Sequence, residues 1–252
     1  MWTREQIKTR AKSVLRGSYW KAFLVSIILG IVGGGTGGFN FRWNINSNDS
    51  GYGRYVPQSI MDNTRHMIPY IISIATIAII ITLLIFLFRI FLGYAIEVGG
   101  KRYFVRAAGK DVDLNNIGYS FNGERYKNII KVMLYRGVLI ILWTLLLVIP
   151  GIIKSYAYNM VPYILADNPQ IGYKRAIEIS NGMTDGEKFN MFILDLSFIG
   201  WYILGALALG IGVLFVNPYV HATQAELYLV FRQKAIDSGI CSAEELMIDR
   251  LI

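Results

Sequence analysis

Four ionisable residues sit inside long apolar stretches of this 252-residue chain: Arg89, Arg136, Asp195 and Glu226. A charge in hydrocarbon is costly, so such residues usually face a bundle interior or a water-filled cavity. Each lies about 10 to 12 residues from the expected cytoplasmic end of its span, roughly 15–18 Å along a helix. Two cations and two anions at one depth can neutralise each other, and they are expected to line a polar cavity that faces the cytoplasm. Arginine forks match phosphate oxygens, so the sharper form is a lipid-phosphate site held by Arg89 and Arg136. The plainer form is a structural ion-pair cluster, or long side chains reaching back to the interface. Glu97 and Lys131 lie nearer the surface.

Other chemistry has little to stand on. His66 and His221 have no carboxylate or Cys at metal-ligand spacing, so neither a metal nor another cofactor is expected. Cys241 is the single cysteine, which excludes a disulfide framework within the chain, and it reads as a bystander. No catalytic residues are assigned. Gly33, Gly35 and Gly38 fit G-x-G-x-x-G, but no strand precedes them and no Lys-Ser/Thr follows. Gly30, Gly34 and Gly38 are four apart, which permits close helix approach; a flexible exit from the membrane is the alternative. Ala206 with Gly210, and Ala208 with Gly212, repeat the spacing.

The elements that must position these residues follow from hydropathy. Apolar and aromatic residues make up 54% of the chain and charged ones 17%, against about 25% charged in soluble domains. An ordinary soluble protein is excluded. The fold class expected is all-α: a polytopic transmembrane helix bundle of about six spans with short amphipathic interfacial helices, in a single domain over 1–252. The spans are 20–37, 67–99, 126–149, 152–166, 185–210 and 213–234, and the fourth and sixth are the weakest. Pro150-Gly151 is expected to form a tight hairpin between spans three and four. The first span reads as an uncleaved anchor, because its basic region is long and no small-x-small site follows.

Charge orients the bundle. Residues 1–21 carry Arg4, Lys8, Arg10, Lys12, Arg16 and Lys21 against Glu5, and 100–136 carry eight basic and three acidic residues. The loop 38–66 is near neutral. Basic segments stay inside, so both termini are expected in the cytoplasm, with the loop outside and a cytoplasmic tail over 235–252. In a membrane protein the net charge of +8 serves orientation, and no nucleic-acid partner is expected. Asn48-Asp49-Ser50 matches a glycosylation acceptor.

The N-terminus reads as a basic amphipathic helix. Thr3 and Gln6 have capping-box spacing, Trp2 and Ile7 have staple spacing, and Ile7, Ala11 and Val14 form an apolar stripe. Such a helix would lie on an anionic inner leaflet or act only as an orientation signal. A second short helix is expected over 168–182, capped by Asn168, with Pro169 first and Gly182 last. Thr184 with Glu187, and Ser242 with Glu245, repeat the capping-box spacing, starting span five and a short tail helix. Tyr19, Trp20, Tyr70, Tyr94, Tyr135, Tyr156 and Tyr163 fall near span ends as an aromatic belt, whereas Trp143 and Trp201 read as packing residues. Pro150, Pro162 and Pro218 mark either broken helices or ordinary turns and kinks.

Several segments together resemble one known family. They are Trp143–Tyr156 with its Ile-Pro-Gly-Ile-Ile-Lys core, Val161–Pro169, Ala176 with Ser180, Leu196–Trp201, Gly210-Ile211-Gly212 with Pro218-Tyr219, and Lys8–Trp20. This combination resembles the bacterial DUF975 integral membrane family, itself distantly similar to the membrane domain of glycerophosphodiester phosphodiesterases. The resemblance covers roughly the first 30 residues and 120–230, and implies a multi-span protein of a bacterial plasma membrane without assigning an activity.

The functional expectation is a non-enzymatic membrane protein that binds lipid or a membrane partner. Its partners would be the bilayer, an anionic phospholipid, and a membrane protein or a second copy of the chain. A small transporter using the charged cavity is the first alternative and an enzyme acting on lipid headgroups the second.

Overall fold

A computed structural model of the protein describes residues 2–32, 58–207 and 212–248, and every regular element among them is helical. The chain divides into two compact units, Phe39–Arg89 and the remainder, Met1–Gly38 with Ile90–Ile252. The glycines at 33, 34, 35, 38 and 210, Ala208 and the Asn48 acceptor lie outside the described residues.

The smaller unit contains helix α2, Gln58–Phe88. The expected loop 38–66 therefore already turns helical at Gln58. From Pro69 to Phe88 every residue is exposed, and nearly all are apolar. A helix apolar on all sides belongs in a membrane, and these residues reach about 30 Å, one hydrocarbon thickness. Its few hydroxyls stay satisfied locally: Ser73, Thr76 and Thr82 donate to Pro69, Ile72 and Ala78 carbonyls.

The larger unit starts with α1, Arg4–Val32, one unbroken helix. Its capping box forms as expected: Gln6 N donates to Thr3 Oγ1 and Thr3 N to Gln6 Oε1, each at 3.3 Å. The interfacial helix expected before span one does not form as a separate element. Ile7, Ala11, Leu15, Ala22, Val25 and Leu29 make a single buried stripe, and that stripe is occupied by protein. Its main partner is α10, Gly212–Asp237, which runs antiparallel to it. Trp2 meets Phe231 with ring centroids 6.1 Å apart, and Tyr19 Oη donates to the Phe215 carbonyl at 3.0 Å. Pro218 lies inside α10 without breaking it.

After a π-helical turn, Arg89–Gly93, helix α3 covers Tyr94–Ala108. A short 3-10 helix, Leu114–Phe121, folds back over it. Gly99 and Gly100 permit these approaches: a Cβ on Gly99 would meet the Ile117 carbonyl oxygen, and one on Gly100 would lie 2.7 Å from the Leu29 side chain.

Helix α4, Gly123–Leu146, turns into α5, Val148–Ala157. The turn is at Leu147 (φ −159°, ψ 139°), three residues before Pro150. Pro150 falls in the first turn of α5, where its missing N–H is not needed. Gly151 lets α5 cross closely over Thr144. The single helix expected over 152–166 is instead α5, of ten residues, and α6, Val161–Asp167, of seven. Both are too short to cross hydrocarbon. The break is mended from α7, Tyr173–Met183. Ser180 Oγ donates to the Ala157 carbonyl at 2.8 Å and accepts from Met160 N at 3.2 Å, and Thr184 Oγ1 donates to the same carbonyl.

Two expected caps are not made, and a third forms without its helix. Asn168 closes a local turn, accepting from Gln170 N at 2.9 Å, and α7 begins five residues later at Tyr173. Thr184 is engaged with Ala157, and Glu187 accepts from Trp2 Nε1 and pairs with Lys234 at 2.9 Å. Residues 243–248 form turns where a tail helix is expected. Glu245 N does bond Ser242 Oγ, but Leu246 and Cys241 are buried and Arg175 Nε grips Glu245 at 2.6 Å. Span five becomes α8, Lys188–Leu196, and α9, Ile199–Leu207, joined at Ser197-Phe198.

Among the described residues, four stretches are long and apolar enough to cross a membrane: Arg4–Ile31, Pro69–Ala108, Gly123–Leu146 and Lys188–Leu207. Helix α10 is long enough, but His221, Gln224 and Glu226 lower its hydropathy, and all three are buried in protein.

Two outcomes follow. Gly99→Ala meets backbone that cannot give way, so thermal unfolding in detergent should show a loss of about 3 kcal/mol; an unchanged midpoint would refute the close α3 approach. The Glu245 carboxyl is held below the usual range by its hydrogen bond with Arg175. The clamp is therefore present above the ordinary glutamate pKa and is lost as pH falls through the lowered value. The protection factor of the Leu246 amide, its exchange rate relative to the unstructured chain at the same pH, should fall on acidification in the wild type and be low at all pH in Glu245→Gln.

Candidate functional site

The charges expected to share one cavity are distributed. Arg89 ends the smaller unit. In the larger unit, Arg136 on α4 pairs with Glu97 on α3 at 3.7 Å, and both side chains are less than one-fifth exposed. Asp195 on α8 is held by neutral donors, Tyr156 Oη at 3.1 Å and Gln224 Nε2 at 3.2 Å. Glu226 faces the other side of α10, where it borders a groove of about 610 Å³ with Arg10 of α1 and Lys234.

What links the first two is Lys101, a residue the sequence reading assigned to a basic cytoplasmic segment. It is buried on α3, its Nζ 5.0 Å from the Tyr163 ring centroid, with Glu97, Arg136 and Asp195 as its charged neighbours. Around it, Tyr163 Oη, His221 Nδ1 and Gln224 Oε1 are buried without a hydrogen-bond partner among the described residues. Tyr163, expected in the aromatic belt, is fully buried and stacks on Tyr228 at 5.1 Å. Lys101 and Tyr163 were missed because helical pattern alone does not show that α3 is covered on every side.

A second polar knot lies below. Asp167 accepts from Tyr228 Oη at 2.6 Å and Arg232 at 3.0 Å. Arg102 donates to the Ala166 carbonyl and lies over the Tyr119 ring at 3.5 Å. Burial pushes the Asp167 carboxyl up, opposed by Arg232 and the tyrosine hydrogen bond. In both knots the carboxylates have partners, Glu97 in Arg136, Asp195 in Tyr156 and Gln224, and Asp167 in Tyr228 and Arg232, and these contacts tie helices together.

An open site lies elsewhere. A groove of about 700 Å³ runs between α1, α9 and the start of α10. Helix α1 contributes Lys12, Arg16 and Tyr19, α9 contributes Trp201 and Leu204, and α10 contributes Phe215 and Val216. Trp201, expected to pack inside, is 53% exposed. At one end Gly205 and Gly212 cross so closely that a Cβ on either would come within 2.7 Å of the other segment's backbone. Close approach is thus made at Gly212, one of the expected positions, with Gly205 as its partner, whereas Gly30 has open space beside it; Gly34, Gly38, Ala208 and Gly210 lie outside the described residues.

A family profile described as "Protein of unknown function (DUF975)" matches residues 67–235, more than half of the chain. The match starts within α2 and ends in α10, so α1 and its Lys8–Trp20 motif lie outside it. No curated protein and no solved structure matches the chain.

The Arg136–Glu97 pair has a direct test. Arg136→Gln should cost about 3 kcal/mol by stranding charge in the interior, and adding Glu97→Gln should restore part of it. Additive losses in thermal unfolding would show that the two are not coupled.

Proposed function

The chain belongs to the DUF975 family, for which no activity is described, and we propose that it is a non-enzymatic integral membrane protein that binds lipid. The observation that carries this reading is the α1–α9–α10 groove. It is lined mainly by apolar side chains; Trp201 and Leu204 in its wall are exposed, and exposed Trp20 stands edge-on beside Tyr19 at its rim. An apolar recess that opens sideways onto apolar surface suits a ligand arriving from the bilayer. The buried ion pairs supply the alternative transporter reading with less, since Arg136 and Asp167 each already have an opposite charge at hand.

The proposed setting is a bacterial plasma membrane with both termini in the cytoplasm. The basic α1 and the basic 100–136 segment favour it by the positive-inside rule.

Purification in mild detergent followed by lipid extraction should recover phospholipid at a fixed ratio to protein. Returning that lipid to stripped protein at about 100 times its Kd should stabilise it by about 2.7 kcal/mol, a rise of roughly 5–10 °C in Tm. Absence of both effects would overturn lipid binding, and lipid turnover by the purified protein would replace it with the enzyme reading.

A further inference from the structure

We infer that the α1–α9–α10 groove selects an anionic phospholipid, with the phosphate at Lys12 and Arg16 and one acyl chain along α9 and α10. This rests on the lipid-binding reading above and names its ligand class.

The groove has a charged end and an apolar end. Antiparallel packing places Lys12 beside Tyr219, with its Nζ 5.8 Å from the ring, and places Tyr19 one turn further along α10, beside Phe215. Beyond Tyr19 the lining is Trp201, Leu204, Phe215 and Val216, and the Gly205–Gly212 crossing closes that end. Cations at one end and hydrocarbon at the other match an amphiphile whose headgroup is anionic.

The cations are arranged as a set. Arg4, Lys8, Lys12 and Arg16 recur every four residues, so they share one face of α1. None of the four takes part in an ion pair among the described residues. The charged neighbours of Lys8 are Arg4 and Lys12, both of its own sign. The enclosed pairs of the larger unit are of another kind: Arg136 with Glu97 and Arg232 with Asp167 each hold a carboxylate in the interior. A row of like charges at i,i+4 spacing opposes helix formation, and an external anion relieves that opposition. Lysine meets a phosphate as a point charge and arginine as a fork. The phosphate chemistry first expected of Arg89 and Arg136 is thus better supplied from α1, since Arg136 is already committed to Glu97.

The rim argues for a bilayer lipid over a soluble anion. Leu204 is 61% and Trp20 69% exposed, so the groove mouth is itself apolar.

The test uses the full-length chain, stripped of lipid in detergent and titrated with phosphatidylglycerol or phosphatidylcholine of identical acyl chains. Bound lipid is counted by native mass spectrometry. Wild type should prefer phosphatidylglycerol. Lys12→Gln/Arg16→Gln should weaken it about 30-fold, about fivefold per cation, and leave phosphatidylcholine unchanged. Lys12→Arg/Arg16→Lys should restore the preference, and Lys127→Gln, a distant exposed control, should not disturb it. Val216→Trp, which fills the apolar end, should weaken both lipids. If the double glutamine variant unfolds, the charge-preserving swap and Val216→Trp carry the test. Equal affinity of the wild type for both lipids, or an unchanged affinity in the glutamine and tryptophan variants, overturns this inference and leaves lipid binding elsewhere intact. If the wild type binds neither lipid, the broader reading falls with it.

Discussion

Asn217, His221, Gln224 and Tyr228 recur every three or four residues along α10, so one stripe of that helix is polar. In hydrocarbon such a stripe has no water to bond and must be covered by protein. Tyr202 reaches Asn217 at 3.3 Å, Gln224 bonds Asp195, and Tyr228 bonds Asp167. Each contact draws a different segment onto α10: α9, α8 and α6. Helix α1 covers the remaining side with its buried apolar stripe. The larger unit is therefore built around one helix that could not stand alone in a bilayer.

Short elements are tolerated around this centre because their open ends are satisfied from neighbours. The break between α5 and α6 leaves the Ala157 carbonyl and the Met160 N–H without helical partners. Ser180 and Thr184 from α7 take them up. Asn128 does similar service at the chain before α7, donating to the Pro169 and Ile171 carbonyls. The close crossings at Gly99, Gly151 and Gly205–Gly212 use the missing Cβ in the same economy: helices too short to bury much area approach backbone to backbone. In the smaller unit the stretch from Pro69 to Phe88 is one continuous run of helix that presents apolar side chains all round.

The charges fall into two kinds. Glu97, Arg136, Asp167 and Arg232 are enclosed and paired, and their removal would strand a partner in low dielectric. Lys12 and Arg16 of α1 lie at the protein surface beside an open groove and take part in no ion pair among the described residues. This division separates residues that hold the bundle from those positioned to meet something else.

Composition and hydropathy by themselves determined the all-helical, membrane-embedded class, the apolar run over 67–88, and the Thr3–Gln6 cap, because each depends on residues adjacent in sequence. The family resemblance over 120–230 was likewise carried by local motifs. The partners of Arg136 and Asp195 were not legible, since depth along a helix gives no rotation about it and no neighbour. The burial of Lys101 and Tyr163 was hidden for the same reason: a polar residue near a span end looks alike whether it faces water or another helix. Thr184, Asn168 and Glu187 carried cap-like spacing, yet distant groups claimed them first. Only the tertiary structure decided that 152–166 is two short helices and that the apolar stripe of α1 packs against α10. Those outcomes are set by contacts between residues far apart in sequence, and the free energy of covering α10 outweighs the local preferences that the sequence displays.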